Sequence, residues 1–141
     1  MDRHAKAQWS GDLKSGKGAL SSGSGVLSNT PYSFRDRFEN GPNTNPEELL
    51  AAAHAGCFTM ALSMTLGLAG LKAESLETTC TVTLDKEGDG FAIKKSALKL
   101  VAKVPGASQE AFNEAAQQAK EGCPVSKLFD TEITLDAKLE S

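Results

Sequence analysis

The period of apolar and polar positions changes several times along the chain. From residue 3 to 38, short alternating runs are broken by Gly and Ser clusters, which predicts strands joined by turns. "SGKG" at 15–18 is a hairpin signal. "SSGSG" at 21–25 is followed by neither Lys-Ser/Thr nor a helix, so it reads as a flexible turn rather than a phosphate loop. In "YSFRDRFE", Tyr32, Phe34 and Phe38 alternate with Ser33, Arg35, Arg37 and Glu39. Read as a strand, this run puts Arg35 and Arg37 on one face.

"NPEELLAAAHAGCFTMALSMTLGLAG" (45–70) predicts a long helix. Asn45 suits the N-cap, Pro46 the first helical position and Glu48 the third, and Glu47 and Glu48 complement the helix dipole. Gly70 suits the C-terminal end. In "LETTCTVTLD", Leu76, Thr78, Cys80, Val82 and Leu84 share one strand face. In "FAIKKSALKLVAKV" the apolar phase shifts between Ile93 and Leu98, which predicts a bulge near Lys94 and Lys95. Ser108 caps an amphipathic helix with Phe112, Ala115, Ala116 and Ala119 inward and Gly122 at its end. A short helix follows from Pro124. A last strand turns Ile133, Leu135 and Leu139 inward. No repeat or linker interrupts residues 1–141, so the expectation is one α+β domain of antiparallel sheets on a long, buried central helix.

That helix is apolar around nearly its whole circumference, so it requires cover on every side. A chain of 141 residues has little material to wrap a helix about 37 Å long, and a second subunit is expected to supply the rest. The run reaches membrane-span length, yet it contains His54 and Ser63 and lacks aromatic or basic flanks. A buried core helix is expected, and no membrane partner. A net charge of -3, with no basic stripe, argues against a nucleic-acid partner. "MDRHAKAQWSGD" has no apolar core of the kind a secretory leader needs, so the cytosol is the expected location. There, three cysteines favour catalysis, redox sensing or core packing over a disulfide scaffold.

The three thiols differ. Cys80 lies on the apolar face of a strand and reads as packing. Cys123, between Gly122 and Pro124, falls at an N-cap, where free backbone N–H groups favour thiolate. Cys57 lies inside the apolar helix, where burial would make it inert unless a cation or donor compensates. His54, Arg35 and Arg37 are candidates. Two histidines and no Cys-x-x-Cys pair make a zinc site hard to assemble, and His54 reads as a packed or capping residue.

Several segments together carry a resemblance: "AQWSGDLKSGKG", "PYSFRDRFE", "TNPEELLAAAHAGCFTMALS", "TVTLDK" with "GFAI", and "GCPVS" with "EITLDAKL". In order and over essentially the whole length, the chain resembles the OsmC/Ohr family of thiol-dependent peroxidases. The resemblance implies an OsmC-like fold in an intertwined homodimer with active sites at the interface. It implies reduction of organic hydroperoxides, and of hydrogen peroxide, to alcohols and water in stress defence. It places the peroxidatic cysteine on Cys57, the resolving cysteine on Cys123, the catalytic arginine on Arg37 and its acidic partner on Glu47. It implies a Cys57–Cys123 disulfide, no cofactor or metal, and a dithiol reductant such as a lipoylated protein. Two other functions fit the residues: a thiol redox sensor, and a dimer that binds lipophilic ligands without turnover. On one straight helix Glu47 and Cys57 lie about 15 Å apart along the axis. Sites assembled from both chains are therefore expected.

Overall fold

In the computed structural model, which describes residues 1–140, three strands open the chain: β1 (Ala5–Ser10), β2 (Lys17–Ser22) and β3 (Thr30–Tyr32). They form an antiparallel sheet in the order β1-β2-β3. Gly18 lets this sheet close, because a Cβ there would run into the Trp9 and Tyr32 rings. Those rings meet edge to face at 5.6 Å.

The strand expected over "YSFRDRFE" is instead a short helix, α1 (Phe34–Phe38). A reciprocal cap overrides the alternation. The Asp36 N–H donates to Ser33 Oγ at 3.3 Å, and Ser33 Oγ donates to the Asp36 carboxylate at 2.8 Å. Phe34 and Phe38 then stack at helical spacing, with ring centroids 4.9 Å apart. Two helical residues span about 200°, so Arg35 and Arg37 do not share a face.

Helix α2 (Pro46–Leu68) begins where its cap predicts, with Glu48 N–H donating to Asn45 Oδ1 at 2.8 Å. It ends with Gly70 at φ +75° and Leu71 N–H donating to the Leu66 carbonyl. The chain falls into two compact units, Met1–Leu49 and Leu50–Ser141.

In the second unit, β4 (Ser75–Glu87) and β5 (Gly90–Lys103) form a long hairpin. Thr83 pairs with Lys95 and Leu84 with Ile93, so Lys94 is the bulged residue that the phase shift predicts. α3 (Gln109–Gly122) and α4 (Pro124–Leu128) follow, then β6 (Glu132–Glu140). Antiparallel pairing holds in the first sheet and in the hairpin, but β6 runs parallel to β5. A parallel return needs a crossover, and α3 with α4 provides it. The core joins Phe58, Leu62 and Leu66 of α2 to Leu98, Leu100 and Ala102 of β5 and to the inner face of α3.

The all-round burial expected of α2 is not present in the single chain. Its inner stripe is buried, but Met60, Met64 and Leu68 are 77%, 62% and 82% exposed. Spaced four apart, they form one continuous apolar stripe. By length and composition alone α2 could also cross a membrane.

Candidate active site

Within residues 1–49, α1 and the first turn of α2 present one charged pair. Arg37 Nη2 donates to Glu47 Oε1 at 2.8 Å, and Arg37 Nε reaches both carboxylate oxygens at 3.1 and 3.3 Å. This is the fork geometry that only a guanidinium provides. The Arg37 side chain is 40% exposed and that of Glu47 only 10%, so the acid is the anchored member. The guanidinium also lies 5.5 Å from the centre of the Phe38 ring. Beside the pair is a cavity of about 330 Å³ lined by Trp9, Leu13, Tyr32, Ser33, Phe34, Arg37 and Phe38.

Asp36, which the sequence reading passed over, holds this region in shape. Its carboxylate accepts from Asn43 N–H at 2.9 Å, and its carbonyl accepts from Asn45 Nδ2 at 3.0 Å. The Asn43 N–H, with further help from Ser33, holds the Asp36 carboxyl below its ordinary value. The signal was available: Ser33-x-x-Asp36 is a capping spacing.

Within residues 50–141 the thiols gather. All three cysteines are free. Cys123 caps α4 as expected, with Ser126 N–H 3.4 Å from its sulfur and Ser126 Oγ 3.0 Å away. The Cys57 thiol neighbours the Val125 N–H and Cys123, both of which act on its titration. The start of α4 thus caps Cys123 and borders Cys57, a feature read from the sequence for Cys123 alone. Burial nevertheless pushes the Cys57 thiol up from its ordinary value. The Val125 N–H opposes that shift, and neighbouring Cys123 adds to it.

His54 is fully buried, and neither ring nitrogen faces Cys57: Nδ1 meets Ser96 Oγ at 2.6 Å and Nε2 meets Ser126 Oγ at 2.8 Å. Cys80 lies 3.2 Å from Ser96 Oγ, and burial raises its thiol as well. Among the described residues, no cluster of three His, Cys, Asp or Glu could hold a metal ion.

The "OsmC-like protein" family profile matches residues 39–138. The chain belongs to the OsmC family. It is 52% identical over 141 residues to the peroxiredoxin OsmC of Escherichia coli K12, covering 100% of this chain and 99% of that protein. It is 35% identical over 98 residues to an organic hydroperoxide resistance protein-like protein of Staphylococcus aureus, covering 69% of each. Among solved structures, OhrB of Bacillus subtilis, an organic hydroperoxide resistance protein, matches with a TM-score of 0.68 at 27% identity, over 97% of this chain and 98% of that one. An OsmC-like protein of Vibrio cholerae shares the fold, with a TM-score of 0.78 at 18% identity over 97% and 99% of the two chains.

Proposed function

We propose that this OsmC-family chain reduces organic hydroperoxides, and hydrogen peroxide, to alcohols and water through a Cys57 sulfenic acid and a Cys57–Cys123 disulfide. Family membership and the full-length likeness to a peroxiredoxin make it an enzyme of the thiol-dependent peroxidase class. The observation that carries the chemistry is the nearness of Cys57 to Cys123, since Cys57 packs against the core cluster that contains Cys123.

In this reading the Cys57 thiolate attacks the peroxide O–O bond, and the alkoxide leaves as alcohol. Cys123 condenses with the resulting sulfenic acid, forming the disulfide and releasing water. A dithiol, such as a lipoyl group on a partner protein, resets the pair in a reducing compartment such as the cytosol. Arg37 stabilises the thiolate and polarises the peroxide, while Glu47 holds the guanidinium fork in place.

We assign Arg37 and Glu47 to the site of a second copy of the chain, in a homodimer. Two observations support this assignment. Burial leaves the Cys57 thiol raised, so it needs a cation that none of its hydrogen-bond partners supplies. The bare Met60–Met64–Leu68 stripe on the Cys57 helix is an apolar surface suited to a second chain.

Mass spectrometry after one equivalent of an alkyl hydroperoxide tests the scheme. A 57–123 bridge is expected in the wild type. Cys57→Ser should consume no peroxide, and Cys123→Ser should stop at the sulfenic acid. A bridge to Cys80 instead, or full turnover by Cys57→Ser, overturns it.

A further inference from the structure

Behind the two thiols runs a buried polar chain that the proposed reaction does not yet use. Cys123 Sγ lies 3.0 Å from Ser126 Oγ, which lies 2.8 Å from His54 Nε2. On the far side of the ring, His54 Nδ1 lies 2.6 Å from Ser96 Oγ, and Ser96 Oγ lies 3.2 Å from Cys80 Sγ. His54, Ser96 and Cys123 are fully buried, and Ser126 nearly so. Placing an imidazole and two hydroxyls inside an apolar core is costly unless every member is partnered, and here every one is. Packing alone would be met more simply by leucine or valine.

The surroundings of the ring are neutral. β4 presents Cys80, 3.9 Å from Nδ1, β5 presents Ser96, α4 presents Ser126, and the edge of Phe129 packs 5.1 Å away. Cys123 is the titratable group reached through Ser126, and Cys57 lies against Cys123. Among the described residues, no carboxylate, lysine or arginine hydrogen-bonds to either ring nitrogen. Burial holds the imidazole below its ordinary value, so it rests neutral, able to accept one proton. Two proton assignments, opposite in direction, satisfy every group. In the one that leaves Nε2 an acceptor, Nδ1–H donates to Ser96 Oγ, the Ser96 hydroxyl donates to Cys80 Sγ, the Ser126 hydroxyl donates to Nε2, and the Cys123 thiol donates to Ser126 Oγ.

We propose that His54 is a positioning residue that takes up the Cys123 proton through Ser126 during disulfide formation. The proposal rests on the roles of Cys57 and Cys123 given above. Cys123 passes its proton to Ser126 Oγ as Ser126 passes its own to His54 Nε2. The Cys123 thiolate attacks the sulfur of the Cys57 sulfenic acid. The S–S bond forms, the S–O bond breaks, and the electron pair leaves with the oxygen. That oxygen takes the stored proton and departs as water. The Cys57 sulfur is reduced and the Cys123 sulfur oxidised, so no further oxidant is required. The Ser126 N–H, 3.4 Å from Cys123 Sγ, is placed to stabilise the transient thiolate. In this assignment Ser96 Oγ accepts from Nδ1–H, so that Nε2 can take the proton from Ser126.

The test is rapid-mixing kinetics on the full chain, which separates sulfenic acid formation (first order in peroxide) from disulfide formation (independent of it). At neutral pH, Ser126→Ala is expected to slow disulfide formation about 100-fold. Its sulfenic acid should form at a rate within about twofold of wild type, since the two steps use different groups. The defect should shrink as pH rises, because external base can then take the proton that Ser126 no longer relays. Ser126→Thr, which keeps the hydroxyl, should restore the rate. His54→Gln should match Ser126→Ala, and the double variant should be no slower than either single one. A Ser126→Ala defect equal at every pH, or no defect, overturns the proposal, as does failure of Ser126→Thr to rescue. If those results come with a wild-type 57–123 bridge, only the proton path falls. If the wild type forms no sulfenic acid at Cys57, the underlying reading falls and the proton path with it.

Discussion

Arg37 and Glu47 meet within residues 1–49, the guanidinium exposed and the carboxylate buried, whereas Cys57, His54 and Cys123 gather within residues 50–141. The first group carries full charges, with the guanidinium open to water and the carboxylate supported by the guanidinium. The second is built from neutral donors and thiols, and its burial opposes charge. A guanidinium keeps its charge in either place, but a thiol does not. On the proposed reading, the contrast teaches that neither region makes a peroxidatic thiolate by itself. The proposed chemistry depends on bringing an exposed cation to a half-buried sulfur.

Removing the cation attacks that dependence most directly. Arg37→Ala is expected to lower kcat/KM about 100- to 1000-fold, and Arg37→Lys should recover little because the fork to Glu47 is lost. Mixing Glu47→Ala with Cys57→Ser chains sharpens the comparison. If the charged pair serves a second copy, random exchange should restore about a quarter of wild-type activity. No recovery, with exchange confirmed by native mass spectrometry, would assign the pair to its own chain.

A smaller effect concerns substrate choice. An apolar wall built from Phe58, Met60, Ala61 and Met64 would be a natural reading of α2, but Phe58 is sealed in the core. The aromatic cavity lies around Arg37 instead. Bulky alkyl hydroperoxides are expected to exceed hydrogen peroxide in kcat/KM by about tenfold. Trp9→Ala should narrow that ratio, and a preference for hydrogen peroxide would contradict it.

Stability against pH probes the buried side. The folded state holds His54 below its ordinary 6.5, so its contribution is full above that value. As pH falls below it, the unfolded chain takes up the proton more readily and stability declines. Urea titrations of wild type and His54→Gln should converge toward acid pH. The smallest effect belongs to the exposed side, where Ser33→Ala should cost about 1 kcal/mol by uncapping α1.

What the sequence disclosed was whatever is encoded by neighbours. The Asn45 cap, the Gly70 end, the Lys94 bulge and the Phe112–Ala119 stripe depend on spacings of a few residues, and each is found where predicted. The helix over Phe34–Phe38 was missed because five residues satisfy both periods, and only the Ser33–Asp36 cap decides between them. The parallel direction of β6 leaves no mark in its own alternation. His54 could be read as packed, but its serine partners lie 42 and 72 residues away, beyond the reach of any periodicity. The resemblance supplied what spacing could not, the choice of Arg37 over Arg35, and that role remains for the variants above to test.

The parallel pairing of β6 with β5 also orders the events of folding. The β4–β5 hairpin closes through a two-residue turn and can form as soon as Lys103 has been synthesised. β6 must wait until residues 104–131 have crossed the sheet, a long loop to close. Cys123 rides on that crossover. On the nascent chain Cys57 therefore emerges with Cys80 before Cys123 exists. In an oxidising medium the early thiols would be free to pair wrongly, so refolding yield should depend on reductant being present until β6 has docked.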